Sequence, residues 1–381
     1  MEFRIARVDL AEAVGWAARA LPARTPVPVL GGLLLAAGAG RLTVSGFDFE
    51  TAARIEVDAE TETAGEVLVL GRRLLDICRV LPDGPVSCAL EGTRFTVEAG
   101  GTRFGLSTLP REEYPAVPAP PPLYGGVDAA AFATAVGQVA VAAGRDDTLP
   151  VLTGVQLRME AGEMTLSASD RYRYAVRRLE WKPEGAAAEE AVAVLLPARR
   201  LLDAARSLAR SGTVRLGLDA GSAGFEGARM RTVVRRLDGR LPGYGALFDM
   251  AGAVVAEVER EALAETVRRV AVVAEANSPV RLDFSAEGGG SVLVRAGYGD
   301  DVAAQRLPAS LNGGAEASVA FNPAYLVDAV NSFEGPRLRL EMLGTGQRAL
   351  LSSGGDGHEG GGGGEPFEAH RHLLMSVKQL V

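Results

Sequence analysis

The stretch PVLTGVQL at residues 150–157 repeats PVLGGLLL at 28–35 in five of eight positions. A turn-and-strand phrase that returns 122 residues later marks a duplicated unit, and nothing else in the chain constrains its fold as tightly. The offset holds downstream, where SGFDFETA from residue 45 aligns with SASDRYRYA from residue 167 and sets Asp48 opposite Asp170. Upstream, Leu10 falls opposite Phe132. The offset then grows to 127: RRLLDICRVLP at 72–82 faces RRLLDAARSLA at 199–209, with Asp76 opposite Asp203. A drift of this size is one loop insertion. A third, fainter copy begins at EALAETVRRVAVVAEANSPVRLDF, 261–284, and continues in NPAYLVDAVNSF, 322–333, with Asp328 opposite Asp76 and Asp203.

The repeats divide the chain into 1–124, 125–250 and 251–381. The proline-rich PAVPAPPPLYGG at 115–126 reads as the first linker, and LFDMAGA at 247–253 marks the second boundary. Within each unit the pattern reads strand, helix, several strands, helix, several strands. Leu10, Ala13, Val14 and Ala17 have helical spacing in the first helix, and Leu74, Leu75, Cys78 and Val80 in the second. Short alternating runs bounded by glycine, such as RLTVSGFDF and TRFTVEAG, read as strands. Two helices against several antiparallel strands per unit predict an α+β fold.

Composition narrows the class. The chain is 47% hydrophobic and 23% charged, an ordinary globular balance. No apolar run approaches the roughly 18 residues that a membrane span needs, and MEFRIARVDL does not read as a signal peptide. Cys78 and Cys88, the only cysteines, lack metal-ligand spacing and predict no disulfide framework, so a cytoplasmic location is expected. The formal charge of −8 argues against a protein that coats nucleic acid, although the middle third is slightly basic.

In order and spacing, LPARTPVPVLGGLLL, LLDICRVLPDG, RFGLSTLPREEYP, LPVLTGVQL, SDRYRYAV, LDGRLPGY and FNPAYLVDAVNSF resemble the bacterial DNA polymerase III beta subunit, the sliding clamps. The resemblance covers nearly the whole chain. It implies three repeated clamp domains per chain, each with two helices on the inner face and antiparallel sheets outside. It also implies a ring-shaped head-to-tail homodimer that encircles duplex DNA without sequence preference. Such a clamp tethers the polymerase, meets the clamp loader, and has no catalysis of its own.

A sliding ring should meet phosphates and avoid bases. Arg72, Arg73 and Arg79 on one helix, and Arg199, Arg200, Arg206 and Arg210 on its counterpart, form matched basic stripes. The plain alternative is a solvated helix face. Arg24 matches a basic lumen position of the family. The third repeat lacks a stripe, since NPAYLVDAVNSFEG has no Arg or Lys. The expected phosphate contacts are therefore Arg24, Arg72, Arg73, Arg79, Arg199, Arg200 and Arg206.

The family pairs an edge strand of the first domain with one of the third. Here that places Arg94, Arg103, Phe104 and Leu106 opposite Val272, Val273, Asp300 and Asp301, with Arg–Asp complementarity setting the register. Two ordinary edge strands guarded by charge are the alternative.

The family's client-peptide pocket maps onto Leu152, Thr153, Ser169, Arg171, Tyr172, Arg173, Tyr174, Pro242, Leu247, Asn322, Tyr325, Ala349, Met375, Ser376, Val377 and Lys378. The tail departs from the family pattern of Met-Pro, an apolar residue, Arg and Leu. Ser376 in place of proline predicts a looser wall with one more backbone donor. Lys378 in place of arginine loses the planar fork. These departures leave open a paralogous clamp with altered client or inhibitor binding, as in antibiotic self-resistance.

An enzyme or ligand-binding protein on the same duplicated fold is the remaining alternative. His370 and His372 lack an evident third metal ligand, and GGDGHEGGGGGEP at 354–366 lacks the Lys-Ser/Thr ending of a phosphate loop. The glycine-rich stretch reads as a hairpin insertion. No cofactor is expected, and the recurrent aspartates read as caps or ion pairs.

Overall fold

The computed structural model describes residues 1–22, 24, 27–184, 191–274, 278–298, 300–354 and 370–378. His358 and nearly all of the glycine-rich stretch lie outside them. Six α-helices occur among the described residues: α1 (Arg7–Ala17), α2 (Gly71–Val80), α3 (Ala129–Ala140), α4 (Ala198–Leu208), α5 (Arg260–Val270) and α6 (Pro323–Asn331). Each follows a strand almost without a connection, so the duplicated unit is two strand-to-helix steps linked by antiparallel strands.

The helices form where the apolar spacing foretold. Helix α1 buries Leu10, Ala13, Val14 and Ala17. In α2 the stripe is rotated from expectation: Leu74, Ile77 and Cys78 are buried, whereas Val80 is 68% exposed. A period of 3.6 carries the inward face from Leu74 through Ile77 and Cys78 to Leu81, past Val80. Side-chain oxygens cap α5 and α6: Glu259 accepts from the Glu261 N–H, and Asn322 from the Ala324 and Tyr325 N–H groups.

The chain divides into two compact units, one of residues 1–133, 182–188 and 199–236, the other of 134–181, 189–198 and 237–381. The first unit contains a five-stranded sheet and a nine-stranded sheet. The five strands run in the order Glu60–Thr63, Glu2–Ala6, Pro85–Glu91, Arg94–Ala99, Thr102–Ser107, which leaves Thr102–Ser107 on an edge. Phe3 stacks on Phe95 under this sheet, with centroids 6.4 Å apart. In the nine-stranded sheet, Met230–Arg235 pairs antiparallel with Thr51–Asp58, Met230 opposite Ile55. Phe132, the counterpart of Leu10, stacks on Phe225 at 5.8 Å. The strand Leu123–Asp128 starts within the predicted linker. The linker packs closely: a Cβ on Gly217 would sit 2.4 Å from the Pro121 carbonyl oxygen, so only glycine fits there.

The second unit contains twelve connected strands. Arg173–Glu180 pairs antiparallel with Arg371–Met375, Tyr174 opposite Leu373. The long strand Asp301–Asn312 pairs with Ser291–Tyr298 through residues 301–308, and with Val254–Glu259 only through its last residues, from Ala309. Among the described residues, 301–308 therefore have no second strand neighbour and offer a second free edge. Leu263, Val267, Leu326 and Val330 of α5 and α6 close the core over Phe284 and Phe321.

One pairing rule governs both units. The strand after the Asp48 turn takes the last strand of the second repeat as its neighbour. The strand after the Asp170 turn takes the last strand of the third repeat. The last strand of the first repeat, Thr102–Ser107, and the corresponding strand of the third, from Asp301, are left without such a neighbour among the described strands.

Candidate functional site

In the second unit a groove with a volume of about 410 Å³ lies between the end of α3, the Asp170 turn and α6. Its walls include Leu152, Arg171, Tyr172, Arg173 and Tyr325, all expected from the sequence. The aspartate builds the turn. Its Oδ1 accepts from the Tyr172 and Arg173 N–H groups, both at 3.1 Å, and Arg171 takes a left-handed φ of 81°. Ser169 is buried, and its hydroxyl donates to the Arg173 carbonyl at 2.8 Å.

Arg173 forms the back of the groove. Its side chain is 4% exposed, and its charge is matched by Asp170 at 2.8 Å and Asp328 at 3.0 Å. Its guanidinium also lies 4.3 Å from the centroid of the Tyr325 ring. The buried cation is thus paired with two carboxylates and a ring face. Burial, followed by the nearby Asp170 charge, raises the Tyr325 pKa and keeps the phenol neutral.

Beside the groove Tyr174 donates through its hydroxyl to the Pro242 carbonyl at 2.8 Å and packs with Leu247 and Phe248. Tyr172, Met375 and Val377 are exposed apolar residues, and the Met375 N–H donates to the Tyr172 carbonyl at 2.8 Å. The expected backbone donor at Ser376 is present: its N–H reaches the Gln347 carbonyl at 2.9 Å. The Ser376 hydroxyl also donates to Gly344 O at 3.1 Å and Gln347 O at 2.8 Å. Lys378 is exposed and lies over Gly346. Thr153 binds its hydroxyl to Pro150 O, and Asn322 is spent as the α6 cap. Ala349 is fully buried in the sheet, so it supports the groove without reaching its surface. Sequence reasoning missed Arg145, Asp146 and Leu149, which also line the groove. The signal was local: Asp146 accepts from both the hydroxyl and the N–H of Thr148, which lowers its pKa.

The basic residues divide. Arg24, Arg73, Arg199 and Arg206 are exposed. Arg72 is exposed and donates to Pro22 O at 3.1 Å, and Arg79 pairs with Asp76 on its own helix at 3.0 Å. Arg200 is set apart by its partners. It pairs at 2.5 Å with Asp48, whose side chain is 5% exposed, and it donates to Arg19 O. A guanidinium held by a buried carboxylate has a partner inside the fold.

The expected edge residues also divide. Arg103 lies on the Thr102–Ser107 edge but is held by Glu91 at 2.8 Å and Glu98 at 3.0 Å. Phe104 is half-buried and Arg94 exposed, the latter on the adjacent strand with its side chain over Gly105. Leu106 is buried, at 8%. Asp300 and Asp301 are exposed at the start of the second free edge, Val272 is exposed and Val273 half-buried. His370 and His372 are buried. The His370 ring meets Ser332 Oγ at 2.8 Å and Val176 O at 3.2 Å. No cluster of three metal-ligating side chains occurs among the described residues. No helix among them is long and apolar enough to cross a membrane.

The DNA polymerase III beta subunit family matches three times in chain order. Its N-terminal domain matches residues 1–118, its central domain 126–243 and its C-terminal domain 247–358. The chain is 46% identical over a 384-residue alignment to the beta sliding clamp of Streptomyces coelicolor, covering 99% of each. It is 40% identical over 380 residues to the beta sliding clamp homolog GriR of Streptomyces muensis, again covering 99% of each. In fold it is similar to the crystal structure of the DNA polymerase III subunit beta from Pseudomonas aeruginosa, with a TM-score of 0.87 at 24% identity over 100% of both chains. A second structure of that clamp, bound to griselimycin, has a TM-score of 0.87 at 23% identity, also over 100% of both chains. The chain belongs to the DNA polymerase III beta subunit family, the bacterial sliding clamps.

Proposed function

We propose that this chain closes head to tail with a second copy around duplex DNA and holds polymerase and clamp loader through the groove beside Arg173. Membership of the family makes it a non-catalytic processivity factor. The observation that carries the ring is the pairing rule. Each repeat donates its last strand to the repeat before it, and one donor edge and one acceptor edge remain, at Thr102–Ser107 and at residues 301–308. A second copy satisfies both edges at once, by a heterologous contact made twice. The three clamp domains correspond to residues 1–124, 125–250 and 251–381, with cytoplasmic residence.

Arg24, Arg73, Arg199 and Arg206 supply exposed charge for sequence-blind phosphate contact, supported by Arg72 and Arg79. Such contacts can be few, because a closed ring is held by topology. The groove combines apolar lining at Leu149 and Leu152 with polar handles such as Arg171 and Tyr325, as a small peptide site requires. Loading onto nicked circular DNA tests the whole reading. Retention should persist on the circle and vanish when the DNA is linearised, and equal loss from both forms would overturn it.

The tail favours a second reading, a clamp with altered inhibitor response. Ser376 knits Met375–Lys378 to the loop 344–347 in a way that proline, lacking the N–H and the hydroxyl, does not reproduce. Titration of griselimycin into the native chain and into a Ser376→Pro, Lys378→Arg variant tests this. Tighter binding by the variant supports the reading, and equal affinities sink it.

A further inference from the structure

We propose that the first unit carries an anion site on the solvent face of its nine-stranded sheet, at the seam between the first two repeats, and that the site takes a pyrophosphate group, either free or at the end of a nucleotide.

The site begins with a pairing that sheets ordinarily avoid. Arg231 lies directly opposite Arg54 where Met230–Arg235 pairs with Thr51–Asp58. Like charges set opposite one another on neighbouring strands destabilise the pair. Alternation fixes the face: Ala53, Ile55 and Val57 are buried, so Arg54, Glu56 and Asp58 turn to the other side. Two more arginines converge there. Arg41 lies opposite Asp58 on the strand Arg41–Phe47. Arg229 sits in the turn before Met230, after the left-handed Ala228 at φ 48°, and its carbonyl accepts from the Glu56 N–H at 3.1 Å. Backbone that the sheet holds in register therefore places all four cations.

These arginines, with Glu56 and Asp58, surround a hollow of about 230 Å³. Four guanidinium groups against two carboxylates leave it positive, in a chain whose formal charge is −8. The carboxylates orient the forks. Glu56 is shared, at 3.0 Å from Arg54 and 3.6 Å from Arg41. Asp58 holds Arg229 at 2.9 Å, and Glu226, beside the hollow, holds Arg231 at 2.5 Å. Each of these closest contacts engages one nitrogen, whereas a guanidinium carries five donors. The four side chains stay between 44% and 64% exposed, which keeps the rest of each fork within reach of a ligand.

Planar forks that converge on one hollow match the oxygens of phosphoryl groups, which they bind in pairs. Size narrows the ligand. At about 30 Å³ for each water-sized group, the hollow takes roughly seven or eight of them. One phosphate leaves part of that space unused, and an extended acidic peptide enters it with only one or two side chains. A pyrophosphate group is compact, doubly phosphorylated and able to lie between Arg54 and Arg231. Its charge offsets their repulsion, so binding and the stability of the seam are linked.

The matching place in the second unit has lost this character. Asp48 corresponds to Asp170, so Arg54 corresponds to Val176, and Val176 pairs with Arg371. That register position holds one cation, whose guanidinium lies 5.1 Å from the centroid of the Phe248 ring. Val176 is buried in a cluster with Phe248 and Leu373. The first unit instead sets two exposed cations opposite each other.

Calorimetric titration of inorganic pyrophosphate into the full chain, in metal-free buffer, tests the site. One saturable site per chain is expected, with orthophosphate at least about tenfold weaker because it spans fewer forks. Arg54→Gln with Arg231→Gln should weaken pyrophosphate by about tenfold or more. Should that variant fail to fold, Arg41→Gln with Arg229→Gln, which leaves the opposed pair in place, should show the same loss. Arg158→Gln with Arg337→Gln removes equal charge from exposed positions of the second unit and should leave binding unchanged. ADP distinguishes the two sources: binding as tight as pyrophosphate assigns the site to a nucleotide tail, and much weaker binding assigns it to the free anion. Absence of saturable binding, or an equal loss in the Arg158, Arg337 variant, overturns the proposal. So does an aspartate-rich peptide that displaces pyrophosphate and binds more tightly, which would give the hollow to an acidic protein partner.

Discussion

Ser376 and Gln347 hold each other in both directions. The Ser376 N–H donates to the Gln347 carbonyl at 2.9 Å, and the Gln347 N–H donates to the Ser376 hydroxyl oxygen at 3.0 Å. Ser376→Ala keeps the first bond and loses the second, and should cost about 1 kcal/mol in urea unfolding. Ser376→Pro removes both and should cost more, roughly 2–3 kcal/mol. A proline variant as stable as the native chain would show that the mutual clasp contributes nothing.

Dimer closure should depend on the Thr102–Ser107 edge. Arg103→Glu with Phe104→Ala changes its charge and its half-buried apolar contact together, without touching the buried Leu106. The particle should fall to half mass in sedimentation velocity. An unchanged mass would place the contact elsewhere.

The arginines should separate by experiment as they do by geometry. Charge reversal at Arg73 or Arg206 should weaken loading on all DNA sequences alike, and each lost phosphate contact should flatten the slope of log affinity against log salt by about 0.9. Neither change should alter folding, since both side chains are exposed. Arg200→Ala should do the reverse. It strands the buried Asp48 carboxylate and should cost roughly 3 kcal/mol of stability.

Acid should destabilise the second unit through its buried imidazoles. Burial lowers the His370 pKa to about 3 and that of His372 well below its ordinary 6.5. In the unfolded chain both take a proton near 6.5. Stability from the neutral rings is therefore complete above that value and erodes as pH falls below it, by up to about 1.4 kcal/mol per pH unit for each ring, until the folded groups protonate. The urea midpoint should be level from pH 7 to 8 and fall between pH 6 and 4. His372→Leu removes two ring nitrogens that lack hydrogen-bond partners and should make that fall shallower. An identical acid slope in the variant would assign the loss to other groups.

Much of the molecule was legible from spacing. Helices α1 and α2 were readable because their buried residues recur at helical intervals, and the role of Asp48 and Asp170 as turn caps was readable because the phrase around them repeats. The Asp48 partner of Arg200 was not legible, for a physical reason. A basic residue on a helix face looks the same whether its partner is solvent, phosphate or a carboxylate 152 positions away. The burial of Leu106 was not legible because alternation identifies a strand's two faces without saying which is covered. The pairing of Met230–Arg235 with Thr51–Asp58 left no local trace, since registers between distant strands are set by the packed sheet. Arg145 and Asp146 fell in a loop that the repeat comparison did not cover.

The two unpaired edges also bear on the life of the chain before it finds a partner. A newly made copy exposes unused backbone donors and acceptors at both edges, with Val272 at 82% and Val302 at 66% exposure in the same unit as the second. Such edges template mispairing, and dilution or scarce synthesis prolongs the hazard. Asp300 and Asp301 at the start of the second edge are exposed charges of the kind that guard an edge, because that edge meeting its own copy would bring carboxylates together. The same open backbone that a second copy needs is thus the part of a lone chain most exposed to wrong pairing, and like charge is what makes the wrong pairing unfavourable.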